Sequence, residues 1–455
     1  MTNKNILTNG SKLSQIELMY YAPVAVVPPY LTEPINVMYC FLAKPLPWPD
    51  EINPPVPATN LKSLKEVHRN IFIVKKIKTN DISPVIQRID WTSGITYDYF
   101  QDDVDMFGKD QNGYITQNFY VKNKYDQVFK CLWNNNDQPS TVEPYFEPGT
   151  YSANKMFQGA DDYKWKFMYT IDTGLKLKFM DKEWMPVAVG SNTPNPLVTT
   201  AGAGSIDVIN VNAGGSGYDP GNSVVQVVIT GDGSGATATA NVQNGIIRDI
   251  IITNPGGNYS YASANIVSGF GANAVLTLST SPVGGHGFDP FSELGCAHVM
   301  MTCEFEGTEG GLLPTDIDFH QLGLIVNPTT KQYNPTYANG VVYSTTTDIV
   351  VAAGSDIGFA TDEVIYQGPV DNPTFTATVL YFNVSTNLLK LINTRGVPVI
   401  NSPIFGQTTN STRTVLSYNL PNFATYSGHL AYIENRTGVQ RSDDGIEQLK
   451  FVLGF

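Results

Sequence analysis

The chain has 455 residues, 42 % of them hydrophobic and 15 % charged, with 24 Tyr, 22 Phe, 40 Gly and 29 Pro. That composition excludes general disorder and favours many short, turn-linked strands over long helices. A net charge of −13 repels phosphate backbones and so excludes nucleic acid as a bulk partner.

In chain order, Met1 to Asn5 leads into polar sequence, so no signal peptide is expected. No charge-free apolar run reaches the roughly 18 residues of a membrane span, so no direct membrane insertion is expected. Ser11 to Tyr20 and Leu61 to Arg69 carry apolar residues at three- to four-residue spacing and predict short helices. Val37 to Leu42 reads as a buried strand around Cys40, and Ile71 to Val74 as another. The Lys75-Lys76-Ile77-Lys78 run is a solvated strand or loop. Val128 to Leu132 predicts a strand. Lys164 to Tyr169 alternates polar with large apolar residues, the pattern of a half-buried strand. The four cysteines, Cys40, Cys131, Cys296 and Cys303, are too few for a disulfide scaffold and predict free buried thiols of a reducing cytoplasm.

Composition changes at residue 199. To about residue 283 the chain is rich in Gly, Ala, Ser, Thr and Val, and two half-copies are visible. Ile209 to Gly215 echoes Ile251 to Gly257, each followed by a tyrosine, Tyr218 or Tyr259. Gly233-Ser234-Gly235-Ala236 echoes Gly269-Phe270-Gly271-Ala272. A repeat of about 40 residues marks a duplicated supersecondary unit, here three strands joined by glycine turns. Residues 338–419 form a second β segment, in which Thr376 to Tyr381 and Leu388 to Ile392 pair across the Asn383 to Asn387 turn. Leu430 to Ile433 and Leu449 to Leu453 are the closing strands.

The chemical motifs are incomplete. Gly231 to Gly235 is followed by an alternating strand pattern instead of a helix, so it is a turn and not a phosphate loop. Gly214 to Asp219 resembles one turn of a calcium-binding repeat, but its partner half lacks the Asp. Cys296, His298 and Cys303 supply three soft ligands where a structural zinc site takes four, and core packing is the better account. Asp316, Asp318 and His320 share one strand face, and the plain reading is a turn entering a strand. Asp102 to Asp105 and Asp443-Asp444 lie in turn-like runs. No catalytic, cofactor-binding or metal-binding residue is assigned, and the expectation is a protein that is not an enzyme and carries no cofactor.

Several segments resemble the gene-eight baseplate wedge subunits of T-even-like contractile-tailed phages. The most specific is the closing run Ser427-Gly428-His429-Leu430-Ala431-Tyr432-Ile433-Glu434-Asn435-Arg436, followed by an acidic turn and a terminal strand ending in Phe. Asp318 to Pro328 is similar to the family's aromatic, basic and Gln residues, then an apolar strand ending Asn-Pro, matched by Gln321, Asn327 and Pro328; His320 stands where an Arg is expected. Phe41 to Trp48, Arg88-Ile89-Asp90-Trp91 with Tyr97, Val128 to Leu132, Pro148-Gly149 and Asp162 to Tyr169 around Trp165 keep the family's order.

The resemblance implies a mainly β virion protein that is assembled in the host cytoplasm and placed in the tail baseplate. It implies a homodimer within each wedge, bridging other baseplate wedge subunits so that the baseplate assembles and changes conformation during infection. The expected fold is mainly β with a few short helices: a β-sandwich-like scaffold formed by both chain ends (1–198, 284–337 and 420–455), carrying a Gly-rich duplicated insertion (199–283) and a second β insertion (338–419). Tyr97, Tyr99 and Phe100 are the candidate interface aromatics, because such rings bury much area on few rotors; ordinary core is the competing role for Trp91. The alternative function is a tail adhesin module binding host surface glycan.

Overall fold

The structure is a computed structural model that describes residues 37–111, 114–147, 156–187, 204–218, 225–330, 337–442 and 444–455. The expected helix at Ser11 to Tyr20, the Pro148-Gly149 motif and Asp443 lie outside the described residues. Among those described, strand takes 46 % and helix 7 %, so the protein is mainly β, as the composition requires. The chain divides into two units, one of Ser83–Met300 with Val452–Phe455, the other of 37–82 with Met301–Phe451.

In the first unit, strands Tyr120–Lys122, Gln127–Trp133, Lys164–Thr170 and Met156–Gln158 form an antiparallel sheet in that order. One face carries Phe129, Cys131, Trp165 and Phe167, which bury with Tyr97 and Tyr163 in an aromatic cluster. Lys164–Thr170 is not half-buried as its alternation predicts: all its residues but Thr170 are buried. Its lysine face is covered as well, for the reason given in the next subsection.

The glycine-rich segment is a two-sheet sandwich in the same unit. Ile246–Gly257, Ser234–Gln243, Gln226–Gly231 and Ala262–Val267 make a four-stranded sheet, and Ala272–Leu278 pairs with Ile209–Ser216. Ile209, Val227, Ile247 and Ile250 bury between them, with Leu276 packed alongside. Each half supplies three strands, but the outer strands are exchanged. The third strand of the first half pairs with the first strand of the second (Ser234 opposite Gly257), and the third strand of the second half pairs with the first strand of the first (Ala272 opposite Ser216). The two middle strands pair with each other across the pseudo-two-fold axis.

That symmetry corrects the repeat alignment. Tyr218 Oη accepts from Ala274 N and Tyr259 Oη from Ala236 N, so Ala236 matches Ala274. Gly233 to Ala236 therefore matches Gly271 to Ala274, and Gly215 matches Gly256, each with φ of +61°. Asn273 (φ +64°) stands where the first half has Gly235 (φ +84°), which is chemically consistent because Asn tolerates the left-handed region.

In the second unit, Val342–Ser344, Ile71–Lys76, Met38–Ala43, Asp318–Val326 and His429–Gln440 form a five-stranded sheet in that order. The strand begun at His429 runs well beyond the four residues expected and lies beside Asp318–Val326 along nearly its whole length. The helix Leu61–Asn70 is capped by Asn60, whose side chain accepts from Ser63 N. Residues 347–419 close into a six-stranded antiparallel barrel, Thr347–Val351, Leu388–Gly396, Phe375–Asn383, Val364–Gln367, Pro403–Gly406 and Thr412–Asn419. Its interior is filled by Ile349, Val379, Leu389, Leu391, Ile404 and Val415, all fully buried or nearly so. The expected pairing across Asn383 to Asn387 is present, and the Asn383 side chain accepts from Ser385 N and Thr386 N in the turn.

A Cβ on Gly256 would stand 2.5 Å from Ala236 N and 2.6 Å from Ser234 O, whereas one on Gly310, at φ +70°, would meet nothing within 4 Å. Gly256→Ala is therefore expected to lower stability by more than about 2 kcal/mol and Gly310→Ala by only about 1 kcal/mol, the conformational part alone. Denaturant unfolding of the two variants measures the difference.

Candidate functional site

Strand alternation places Lys130, Lys164 and Lys166 on the sheet face opposite the aromatic cluster, with Lys130 directly across from Lys166. Like charges set opposite one another destabilise a sheet, and these three lysines are 0 %, 5 % and 4 % exposed. Burial on these terms requires acids, and the segments that cover the face bring them. Glu293, at the end of helix Pro290–Glu293, meets Lys130 at 2.9 Å. Asp249, on a strand of the glycine-rich sandwich, meets Lys164 at 2.8 Å. Asp207, just ahead of the first strand of that sandwich, acts on Lys166 through space.

The Lys130 ammonium also lies 3.9 Å from the centre of the Phe100 ring and 3.1 Å from His286 Nδ1. Glu293 Oε1 accepts from Gly287 N at 2.7 Å and Asp289 N at 3.2 Å. Desolvation pushes the Glu293 carboxyl up, but Lys130 and His286 outweigh it and hold the group down at about 2. Desolvation, reinforced by the Lys130 charge, lowers His286. Desolvation also lowers Lys130 and Lys166, against the pull of the neighbouring carboxylates. A cavity of about 510 Å³ remains at this junction, lined by Lys164, Lys166, Asp207, Asp249, Met156 and Gln158 among others.

A second polar centre lies in the other unit. Lys44, its side chain 1 % exposed, binds Asp318 and, at 3.1 Å, Asp362. His320 Nε2 stands 2.6 Å from Asp318 and Nδ1 3.3 Å from Glu51. Glu51 accepts from Trp48 N at 2.6 Å and Gly438 N at 3.1 Å. Desolvation opposes ionisation of Glu51 and of Asp318, but these donors prevail and lower both. Gln321 donates to Asn435 Oδ1 at 2.6 Å, Asn435 donates to Pro55 O at 2.8 Å, and Trp48 Nε1 donates to Arg436 O at 2.8 Å. These bonds tie residues 48–55 to the long strands Asp318–Val326 and His429–Gln440.

The remaining expected residues also occupy structural positions. Arg88 grips Asp90 through Nε and Nη2, the latter at 2.7 Å, and Lys122 approaches Asp90 at 3.2 Å. Trp91 donates to Ser140 Oγ at 3.1 Å. Trp165 is fully buried between Tyr97 and Tyr163, each with its ring centre 5.5 Å away. Tyr97 is a correction as an interface aromatic: it is 2 % exposed, a core residue packed on Trp165. Tyr99 packs edge-on to Trp133, and Phe100 lies under the Lys130 ammonium. Asn327, at φ +52°, accepts from Val37 N through its side chain, and Pro328 O accepts from Ala338 N. Tyr432, Glu434 and Arg436 stay at the surface, Glu434 receiving the Tyr432 hydroxyl at 3.1 Å and pairing with Arg436 at 3.3 Å.

All four cysteines are buried and free. Burial pushes the Cys296 thiol up to about 12, and its sulfur donates to Val85 O and His298 O. Among the described residues no group of three or more His, Cys, Asp or Glu is placed to hold a metal ion, and no helix is long and apolar enough to cross a membrane.

No protein-family model matches the chain, and no curated protein matches it significantly. The candidate site therefore rests on geometry: one buried charge cluster and one half-exposed cluster that fasten covering segments to sheets. Lys130, Lys166, Glu293, His286, Asp207, Lys44 and Glu51 were not singled out from the sequence. Lys44 and Lys130 lay inside runs quoted for the family order and Lys166 inside the lysine alternation at 164–169, which reads equally as a solvated face.

Glu293→Gln leaves Lys130 charged and buried without its partner, so a loss of about 3–5 kcal/mol is expected. A Lys130→Met/Glu293→Gln double variant recovers part of that loss, because no unpaired charge remains. Both depressed acids, Glu293 and the His286 imidazolium, bind more protons unfolded than folded. The joint contribution of these two groups is thus complete above the ordinary histidine range near 6.5, falls as His286 becomes protonated in the unfolded chain, and falls further from 4.5 down to about 2 through Glu293. Urea melts from pH 7 to pH 3 on wild type and Glu293→Gln measure this; identical acid limbs exclude the Glu293 contribution.

Proposed function

We propose that the chain is a structural, non-enzymatic subunit of a phage contractile-tail baseplate wedge. In this reading it pairs with a second copy of itself and bridges neighbouring wedge proteins. The observation that carries it is the use to which the motif side chains are put. Arg88 with Asp90, Gln321 with Asn435, Asn327 with Val37 and Trp165 in its aromatic stack each fasten one backbone segment to another. Residues shared with a force-bearing assembly protein are expected to do that, whereas a catalytic set converges on a cleft. The strand-built units and buried ion pairs agree with a part that must keep its shape while its neighbours move. The surface residues Tyr432 and Arg436 are of types enriched in protein interfaces.

Native mass spectrometry of the purified chain is expected to show a species at twice the chain mass, and immunogold labelling of tails that carry the chain is expected to decorate the baseplate end. A strictly monomeric mass at micromolar concentration defeats the self-pairing, and label confined elsewhere on the particle defeats the wedge assignment.

A further inference from the structure

A cleft of about 540 Å³ opens in the second unit beside the last turn of helix Leu61–Asn70, strand Leu388–Gly396 and the 420–426 loop. That volume falls within the range of ligand pockets, roughly 300–1,000 Å³. The chain has 41 Asp and Glu residues, yet no carboxylate lines this cleft among the described residues. Its cation among the described residues is Arg69, whose Nε is buried without a hydrogen-bond partner among them. A basic residue in the last turn of a helix complements the helix dipole, but that role needs charge alone and leaves the Nε donor unexplained.

Beside Arg69, burial pushes His68 down to about 4, so at neutral pH it offers a hydrogen bond and no charge. Three residues with polar side chains, Asn393, Thr394 and Asn422, also line the cleft. Tyr426 is 49 % exposed at the rim, edge-on to His68, and held at φ +69°. A bulky residue in the left-handed region is an outlier, and such strain collects at binding sites.

We propose that this cleft binds a sugar acid. Arg69 pairs with the carboxylate, Asn393, Thr394 and Asn422 bond the hydroxyls, and the Tyr426 ring covers a sugar face. The inference does not rest on the wedge reading, because every residue it uses lies within one unit.

The test uses the full chain in calorimetric titration and saturation-transfer NMR. The probes are N-acetylneuraminate and galacturonate, with glucose, inorganic phosphate and a polyglutamate peptide as comparators. The expected result is a Kd for one of the acids of about 1 mM or tighter, with every comparator at least about tenfold weaker. Arg69→Gln is expected to weaken the acid about tenfold and Arg69→Lys less. Tyr426→Gly removes ring and strain together, so it is expected to lose binding without a lower Tm, a combination that a merely structural role for Tyr426 does not produce. The proposal is overturned if neither acid binds better than glucose, if phosphate or polyglutamate binds as well as the acids, or if Arg69→Gln binds like wild type.

Discussion

Three lysines buried on one face of a four-stranded sheet set the terms for the first unit. Each removes an ammonium from water, which costs far more than any sheet contact returns unless a carboxylate arrives with it. The aromatic residues on the other face bury readily, so the sheet can form half its core unaided. It cannot cover its lysine face unless Asp207, Asp249 and Glu293 come from the segments that follow. The position of the glycine-rich sandwich on its sheet is thereby defined by charge at Lys164 and Asp249. Such pairs add little net stability compared with apolar residues of the same shape. Their effect is to make any other seating costly, because a shift of one strand position strands a buried charge.

The sandwich itself meets a different constraint. Its outer strands are exchanged between halves, so two chain segments cross closely where Gly215 and Gly256 stand. A side chain at either would meet backbone, Ala272 O at 2.3 Å in one case and Ala236 N at 2.5 Å in the other. Tyr218 and Tyr259 then close the two ends of the core, each ring lying against a glycine, Gly271 or Gly233, that has no Cβ to displace it. Glycine content is thus dictated by approach distance as much as by turns. The strands outside these crossings carry Thr and Ala, with cross-strand hydroxyl contacts at Thr237–Thr253 and Thr230–Ser263.

How much of this was legible depended on whether local spacing carried the information. Val128 to Leu132 and Ile71 to Val74 were readable because their apolar runs are buried, and the Leu61 helix because its spacing and the Asn60 cap are local. The hairpin of 376–392 was readable because its turn residues sit between two apolar runs. The repeat was visible, but its alignment slipped because Gly269 and Gly271 offer the same local letters, and only the Tyr218–Ala274 bond across the sheet separates them. The lysine face was misread because alternation reports which face a side chain takes and not what covers that face. Tyr97 was assigned to a surface for a related reason: aromatics suit interfaces and cores alike, and Trp165, 68 positions further along, decides between them. Neither Glu293 nor Glu51 carries any local mark of its partner.

Those partners are remote in sequence. Lys130 and Glu293 are separated by 163 positions, Lys44 and Asp318 by 274, and Glu51 and Gly438 by 387. Contacts of that separation carry loop-closure entropy that must be met before they return any energy. In the glycine-rich sandwich the most distant strand pair, Ala272–Leu278 with Ile209–Ser216, spans only 56 to 69 positions, and in the barrel Thr347–Val351 with Thr412–Asn419 spans only 64 to 71. The loop-closure cost is therefore smaller within the two modules than for these ion pairs. A charge cluster is a check on seating, since it is satisfied only when every contributing segment has arrived in register. Apolar contacts in its place would accept a range of seatings. Under the proposed wedge role, in which the part holds one geometry under load, that selectivity is worth more than the few kcal/mol an apolar junction would add.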